Sequence, residues 1–174
     1  MKKIIIGISG ASGVKLGLRF ARALPADCEK YLIVSEHASL VFEKEEKITQ
    51  LDNENIGACT ASGSFMADAM VIIPCSMNTL AKVACGIADT LLTRSAMVML
   101  KEKRPLLLAP REMPFDAIAL ENMLKLSRLG VWIAPPILGY YGEVQNLDKM
   151  EDFLVGKWLD MLGVEHRLYQ RWEG

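Results

Sequence analysis

Lys3-Ile4-Ile5-Ile6-Gly7-Ile8-Ser9 runs straight into Gly10-Ala11-Ser12-Gly13, and this junction decides the fold. The first seven residues are a β-branched apolar run of the kind found in a strand buried on both faces. The next four are small and permissive, and a helical pattern with Leu16, Phe20 and Leu24 on one side follows them, closed by Pro25. A buried strand, a tight turn and a helix make the opening unit of a parallel α/β sheet.

Outward from that unit the same alternation repeats. Tyr31–Val34 reads as a second strand and Glu36–Lys47 as a charged helix, with Leu51–Asn55 as a polar loop. Met70–Ile73 is a third strand ending at Pro74, and Ser76–Cys85 and Thr90–Lys101 are helices on either side of Gly86. Leu106–Ala109 is a fourth strand between prolines. Asp116–Arg128 is a helix with an acidic start and Gly130 past its end, Val131–Ala134 a fifth strand, and Leu147–Leu162 a final amphipathic helix ended by Gly163. No hairpin signal interrupts the series. The expected fold is therefore α/β: an open, mostly parallel sheet with helices on both faces, in one domain over residues 1–174 whose last stretch, 164–174, is a tail.

Composition agrees. The chain has 174 residues, 51% of them hydrophobic and 24% charged, and its 20 basic and 21 acidic residues leave a net charge of −1. Disorder is excluded as the general state, and a balance so near neutral gives no electrostatic footing for nucleic acid or an anionic membrane. No apolar run approaches the roughly 18 residues needed to span a bilayer. The Met1-Lys2-Lys3-Ile4 start imitates a signal peptide, but its apolar run breaks at Gly7. Cys28, Cys59, Cys75 and Cys85 lack a C-x-x-C spacing, and His37 and His166 lack partners at metal spacing, so a reducing cytoplasm and no metal site are expected.

In an open parallel sheet, ligands sit beyond the carboxyl ends of the strands, beside a switch in strand order. Ser9-Gly10-Ala11-Ser12-Gly13 after the first strand offers close backbone approach and a helix N-terminus, which suit a phosphate, or it is only a tight turn. Pro74-Cys75-Ser76-Met77-Asn78-Thr79 after the third gives a second corner of hydroxyl and amide groups, with Ser76 also able to serve merely as a helix cap. Pro110-Arg111-Glu112-Met113-Pro114 after the fourth puts an arginine suited to a phosphate or ring carbonyl beside a glutamate that can act as a general acid if its pKa is raised; the plain alternative is a surface ion pair. Gly139-Tyr140-Tyr141-Gly142 after the fifth offers phenolic hydroxyls or simple packing. Arg94 and Lys101 share a helix face, Glu45 lies in a charge run, Lys157 sits on an apolar helix and Trp172 in the tail; each has an ordinary structural reading of its own.

Taken together these pieces resemble the UbiX-type flavin prenyltransferases. The matching segments are Gly7–Gly13, Ala61-Ser62-Gly63-Ser64-Phe65, Pro74-Cys75-Ser76 with Thr79-Leu80, Leu100-Lys101-Glu102-Lys103-Arg104-Pro105-Leu106, Pro110-Arg111-Glu112-Met113-Pro114 and Tyr140-Tyr141. The resemblance implies a Rossmann-like flavoprotein that attaches a dimethylallyl group, from dimethylallyl phosphate, to N5 and C6 of reduced FMN. The product, prenylated FMN, then passes to a UbiD-type decarboxylase. It implies FMN contacts from Gly10, Ala11, Ser12, Ser35, Ser76, Met77, Asn78, Thr79 and Arg111, with Ser12 near N5. It implies prenyl-phosphate binding by Lys101, Tyr141 and Lys157, with Arg94 adding charge and Trp172 closing the site. Glu45 would assist proton removal from N5, and Glu112 would manage the proton at the leaving phosphate or at C6. Lys157 stands where many members carry arginine, and the segment between Glu45 and Ala61 is shorter than in many. Members form large symmetric homo-oligomers, dodecamers among them, with sites at subunit contacts.

No aspartate-rich D-D-x-x-D motif is present, so no metal is implied. Two other readings compete. An FMN-dependent cysteine decarboxylase of the same fold carries a histidine in its first helix and a longer P-x-M-N motif; here Leu16–Leu24 has no histidine and Asn78 leads into Thr79-Leu80-Ala81-Lys82. A non-catalytic flavin carrier needs Ser12, Ser76 and Arg111 but not Lys101, Glu112 and Tyr141.

Overall fold

Strand β1 (Lys3–Ile8) is buried along almost its whole length, and alternate residues feed two separate cores. Ile4, Ile6 and Ile8 join Val14, Phe20, Val155 and Trp158 on one side, and Ile5 joins Ile72, Leu80, Leu92 and Met99 on the other. A strand with apolar side chains pointing both ways must be covered twice. The computed structural model, which describes residues 2–10, 12–35, 48–140 and 146–171, shows how. Six parallel strands stand in the order β3-β2-β1-β4-β5-β6, with β2 at Glu29–Val34, β3 at Ile48–Leu51, β4 at Ala69–Cys75, β5 at Leu106–Pro110 and β6 at Trp132–Ile133. Helices α1 (Val14–Ala23) and α5 (Leu147–Met161) cover one face. Helices α2 (Met77–Cys85), α3 (Leu91–Lys101) and α4 (Ala117–Arg128) cover the other.

The alternating α/β layout, the parallel sheet and the two helical layers agree with the sequence reading. One element differs. The sequence suggests five strands and a polar loop from Leu51, whereas Ile48–Leu51 is a sixth strand, paired with β2 from Lys30↔Ile48 to Ile33↔Leu51. It lies at the sheet edge, where Thr49 and Gln50 face solvent. An edge strand satisfies its backbone through one neighbour and needs no apolar run. The helix expected over Glu36–Lys47 falls outside the described residues.

Several local choices fix the helix ends. Asp116 accepts a hydrogen bond from the Ala119 N–H at 2.7 Å and starts α4, and Gly86, at φ 74°, ends α2. Helix α3 is held from outside as well as by its own Thr90 cap. Asn53, just beyond β3 and 7% exposed, accepts from the Leu91 N–H through its carbonyl (2.8 Å) and from the Leu92 N–H through Oδ1 (3.1 Å). Asn53→Ala leaves the Leu92 N–H without that partner, and a loss of about 1–2 kcal/mol is expected. Thermal unfolding should show Tm lower by roughly 2–8 °C; an unchanged Tm would mean that Thr90 alone suffices.

Candidate functional site

The strand order reverses between β1 and β4, so the crevice beyond their carboxyl ends is where an open α/β sheet offers a ligand site. Both ends are tied together. The Ser9 N–H donates to the Pro74 carbonyl (3.1 Å), and Ser9 Oγ accepts from the Ser76 N–H (3.0 Å). Ser9 is 2% exposed and is a polar residue closing an apolar strand, the one signal in the sequence that it joins the two corners. Ser35 is fixed beside them, its N–H donating to the Ile8 carbonyl at 2.9 Å.

Two glycines shape the floor of the crevice. Gly10 has φ +91° and Gly13 φ +83°, a left-handed backbone that L side chains rarely adopt. A Cβ on Gly10 would sit 3.4 Å from Ser76 Cβ, and one on Gly13 3.4 Å from Arg111 Cδ. A side chain at either place would fill the cradle between the first turn, Ser76 and Arg111. Gly13 also caps α1 with no side-chain hydrogen bond and no acidic residue in the first turn. The Leu16 N–H donates to the Gly13 carbonyl (2.9 Å), and the Val14 and Lys15 N–H groups before it are left for an anion. Ser76 caps α2, accepting from the Thr79 N–H (3.2 Å) while its hydroxyl donates to Thr79 Oγ1 (3.0 Å). The cap reading of Ser76 thus holds, and its backbone still faces Gly10. Met77 is half-buried, Asn78 exposed and Thr79 buried.

Cys75, between these corners, is fully enclosed, and burial pushes its thiol up to about 12. A neutral thiol is a poor nucleophile, so Cys75 packs the floor rather than reacting. From β5, the Arg111 N–H donates to the Cys75 carbonyl (3.3 Å), which swings the arginine stem across Gly13. Glu112 is exposed and Oε1 accepts from the Met113 N–H (3.1 Å). The alternative of an Arg111–Glu112 ion pair is absent among the described residues. The β1 turn at Gly10 and Gly13, Ser76 after β4, Arg111 after β5 and Ser35 after β2 therefore border one crevice, and a flat ring with an anionic tail fits the donors there: main-chain N–H groups at a helix start, hydroxyls and a guanidinium.

The residues assigned to the prenyl phosphate are distributed differently. Helix α3 begins near Asn53 at the carboxyl edge and descends to the amino edge, where Arg104 Nη2 donates to the Gly63 carbonyl (2.9 Å) and Pro105 leads into β5. Arg94 and Lys101 share one face of it but lie about 10 Å apart along its axis. Lys101, paired with Glu102 Oε1 at 2.7 Å, is at the edge away from Arg111. Lys157 is exposed on α5, on the opposite face of the sheet. One chain does not bring Lys101 and Lys157 together. Ala11, Glu45, Tyr141 and Trp172 lie outside the described residues. His166, given no role by the sequence, meets Asp160 Oδ1 at 3.1 Å.

Comparison with known proteins bears directly on this arrangement. The sequence model of the family described as Flavoprotein matches residues 1–159. The flavin prenyltransferase UbiX of Campylobacter jejuni is 47% identical over 184 residues, covering 98% of both chains. Among solved structures, AnUbiX (PadA1) in complex with FMN and dimethylallyl pyrophosphate superposes with TM-score 0.94 at 34% identity, over 99% of this chain and 98% of that one. A dodecameric FMN-dependent UbiX-like decarboxylase from Escherichia coli O157:H7 superposes with TM-score 0.93 at 38% identity, over 99% of this chain and all of the other. Crevice, fold and near-complete likeness converge: this chain belongs to the UbiX family of flavin prenyltransferases.

Proposed function

We propose that the chain transfers a dimethylallyl group from dimethylallyl phosphate to N5 and C6 of reduced FMN and releases prenylated FMN for a UbiD-type decarboxylase. The observation that carries the reading is the crevice at the strand switch, where Arg111 lies across Gly13 opposite Ser76 and Gly10. Bound there, reduced FMN supplies electron-rich ring atoms as the nucleophile.

The chain's own groups do the rest. Gly10, Ala11, Ser12 and Ser35 hold the flavin from the β1 and β2 ends, Ser76–Thr79 from the β4 end, and Arg111 from β5, with Ser12 set near N5. Lys101, Tyr141 and Lys157 bind the donor's phosphate and Arg94 adds positive charge. An allylic phosphate departs more readily when its developing anion meets fixed cations in a site closed to water. Glu112 holds the proton that the leaving phosphate or C6 requires, Glu45 takes the one at N5, and Trp172 closes the site.

Because Lys101 and Lys157 lie on different sides of a single chain, the donor end is completed by neighbouring copies in a homo-oligomer. The dodecameric E. coli neighbour supports that. Among the described residues no helix is long and apolar enough to cross a membrane. The same reading sets the chain in the cytoplasm, in keeping with its four free cysteines.

The test is anaerobic incubation with reduced FMN and, in parallel, dimethylallyl monophosphate and diphosphate. The released cofactor should be heavier by one five-carbon prenyl unit. Flavin of unchanged mass with both donors defeats the proposal, and the donor that reacts identifies the leaving group.

A further inference from the structure

The tail after α5 is fastened by a cluster that the reaction scheme does not use. Asp160, in the last turn of α5, gathers three partners from the segment that follows. Its Oδ1 meets His166 Nε2 at 3.1 Å and accepts from Arg171 Nη2 at 2.7 Å, and Oδ2 accepts from the Tyr169 hydroxyl. The Asp160 carboxyl has burial pushing its pKa up, but the hydrogen bonds from Arg171 and Tyr169 outweigh it and hold it down at about 2. The Tyr169 and His166 rings, tilted 49° to each other, pack against the helix at Gly156. A Cβ on Gly156 would fall 2.6 Å from Tyr169 Cδ1 and 2.7 Å from His166 Cε1. Phe153 packs against Tyr169 with ring centroids 5.0 Å apart.

This cluster lies on the helix that carries Lys157, a residue assigned to the prenyl donor. Lys157 is three residues before Asp160, a neighbouring position on the same helix face where an acid and a base ordinarily pair. Here they do not: Asp160 is taken up by the tail, and Lys157 makes no ion pair with any described residue. Its ammonium stays available to an anion. Trp172 is next in sequence to Arg171, the residue whose guanidinium Asp160 grips.

We propose that Asp160 is a positioning residue for the prenyl-donor end of the site. It clamps residues 164–171 along α5, which fixes the path of the tail as far as Arg171 and keeps Lys157 unpaired for the donor's phosphate. The inference rests on the proposed reaction for its functional half, and on the structure alone for the clamp.

Two variants of the full chain test it, each with bound FMN. Asp160→Asn keeps the shape and removes the charge. Gly156→Ala leaves Asp160 intact but drives a methyl group into the Tyr169 and His166 rings while favouring the helix. Three readouts are taken: trypsin cleavage after the exposed Arg167, KM for dimethylallyl phosphate, and the FMN dissociation constant. Losing charge-assisted hydrogen bonds should raise the open population of the tail, and with it the cleavage rate, about tenfold. KM for the donor should rise severalfold in both variants with FMN affinity unchanged. Arg171→Met should raise the donor KM in the same way, since it frees Asp160 to capture Lys157, and Arg171→Lys should restore it. Unchanged cleavage in both primary variants overturns the clamp. Faster cleavage with an unaltered donor KM overturns the positioning role. If the unmodified protein prenylates no flavin with either donor, the positioning role falls with the reaction, while the cleavage rates still decide the clamp.

Discussion

Glu112→Gln is expected to lower turnover roughly 10²- to 10⁴-fold, the range for removing a positioned acid or base. FMN affinity should stay within about twofold of the unmodified protein, because nothing in the flavin cradle is touched. The substitution isolates the proton. Glutamine has the same shape, and its Oε1 can still accept from the Met113 N–H that Glu112 engages at 3.1 Å. What it cannot do is hold and release a proton for the leaving phosphate or for C6. Glu112 follows Arg111 directly, and Arg111 crosses Gly13, so the carboxyl is attached to the same short segment that borders the crevice. Single-turnover rates of prenylated-flavin formation, with FMN binding measured separately, give the split. If the variant turns over at more than half the normal rate, Glu112 has no proton to manage and its place at the crevice is structural. A parallel loss of FMN binding would instead make it part of the cradle.

The crevice was legible in the sequence because its chemistry sits at strand ends, and strand ends announce themselves. Gly10 and Gly13 lie in the short polar and flexible turn that follows an apolar β-branched run, Ser76 comes two residues after Pro74, and Arg111 follows Pro110; each stands just beyond a buried segment. Once the strands are placed, the geometry of a parallel sheet brings these corners together without any pairwise signal. The edge strand Ile48–Leu51 escaped because its face is half solvent and its composition, Ile-Thr-Gln-Leu, carries no buried run. Asn53 escaped for a related reason: its value lies in a cap on a helix that begins 38 residues later, at Leu91, and a lone buried asparagine in a polar stretch looks like any loop residue. The Asp160 cluster joins residues at spacings of six, nine and eleven, which share no single helix or strand period. Such a contact exists only after the chain has turned back past Gly163. The separation of Lys101 from Lys157 is likewise a property of which face each helix covers. Hydrophobic periodicity shows that a helix has an inner face, but not which side of the sheet receives it.

Gly17→Ala sets two physical effects against each other, and their difference fixes the sign. Within a helix an alanine is favoured over glycine by about 1 kcal/mol, so sequence reasoning alone expects α1 to be stabilised. The structure places Gly17 where α1 crosses the sheet most closely. An added Cβ would lie 2.1 Å from the Ile73 carbonyl oxygen and 2.9 Å from both Cγ1 and Cδ1 of Ile8. Ile8 can turn, but the Ile73 carbonyl belongs to the backbone of β4, which is buried from end to end. Relief therefore requires α1 to lift away from the sheet, opening the contact around Phe20 and Ile8, both 0% exposed. Overpacking of a well-filled core costs about 1–3 kcal/mol, toward the upper end when backbone must move. The net expectation is a loss of about 2 kcal/mol, seen as a Tm lower by roughly 4–8 °C. The same displacement would shift Gly13 at the start of α1 relative to Arg111, so FMN affinity should fall together with stability. A variant as stable as the unmodified protein would show that helix preference outweighs the close approach and that α1 has room to move. A destabilised variant with normal FMN binding would show that the turn at Gly10–Gly13 is held by β1 and Ser76 independently of the helix it begins.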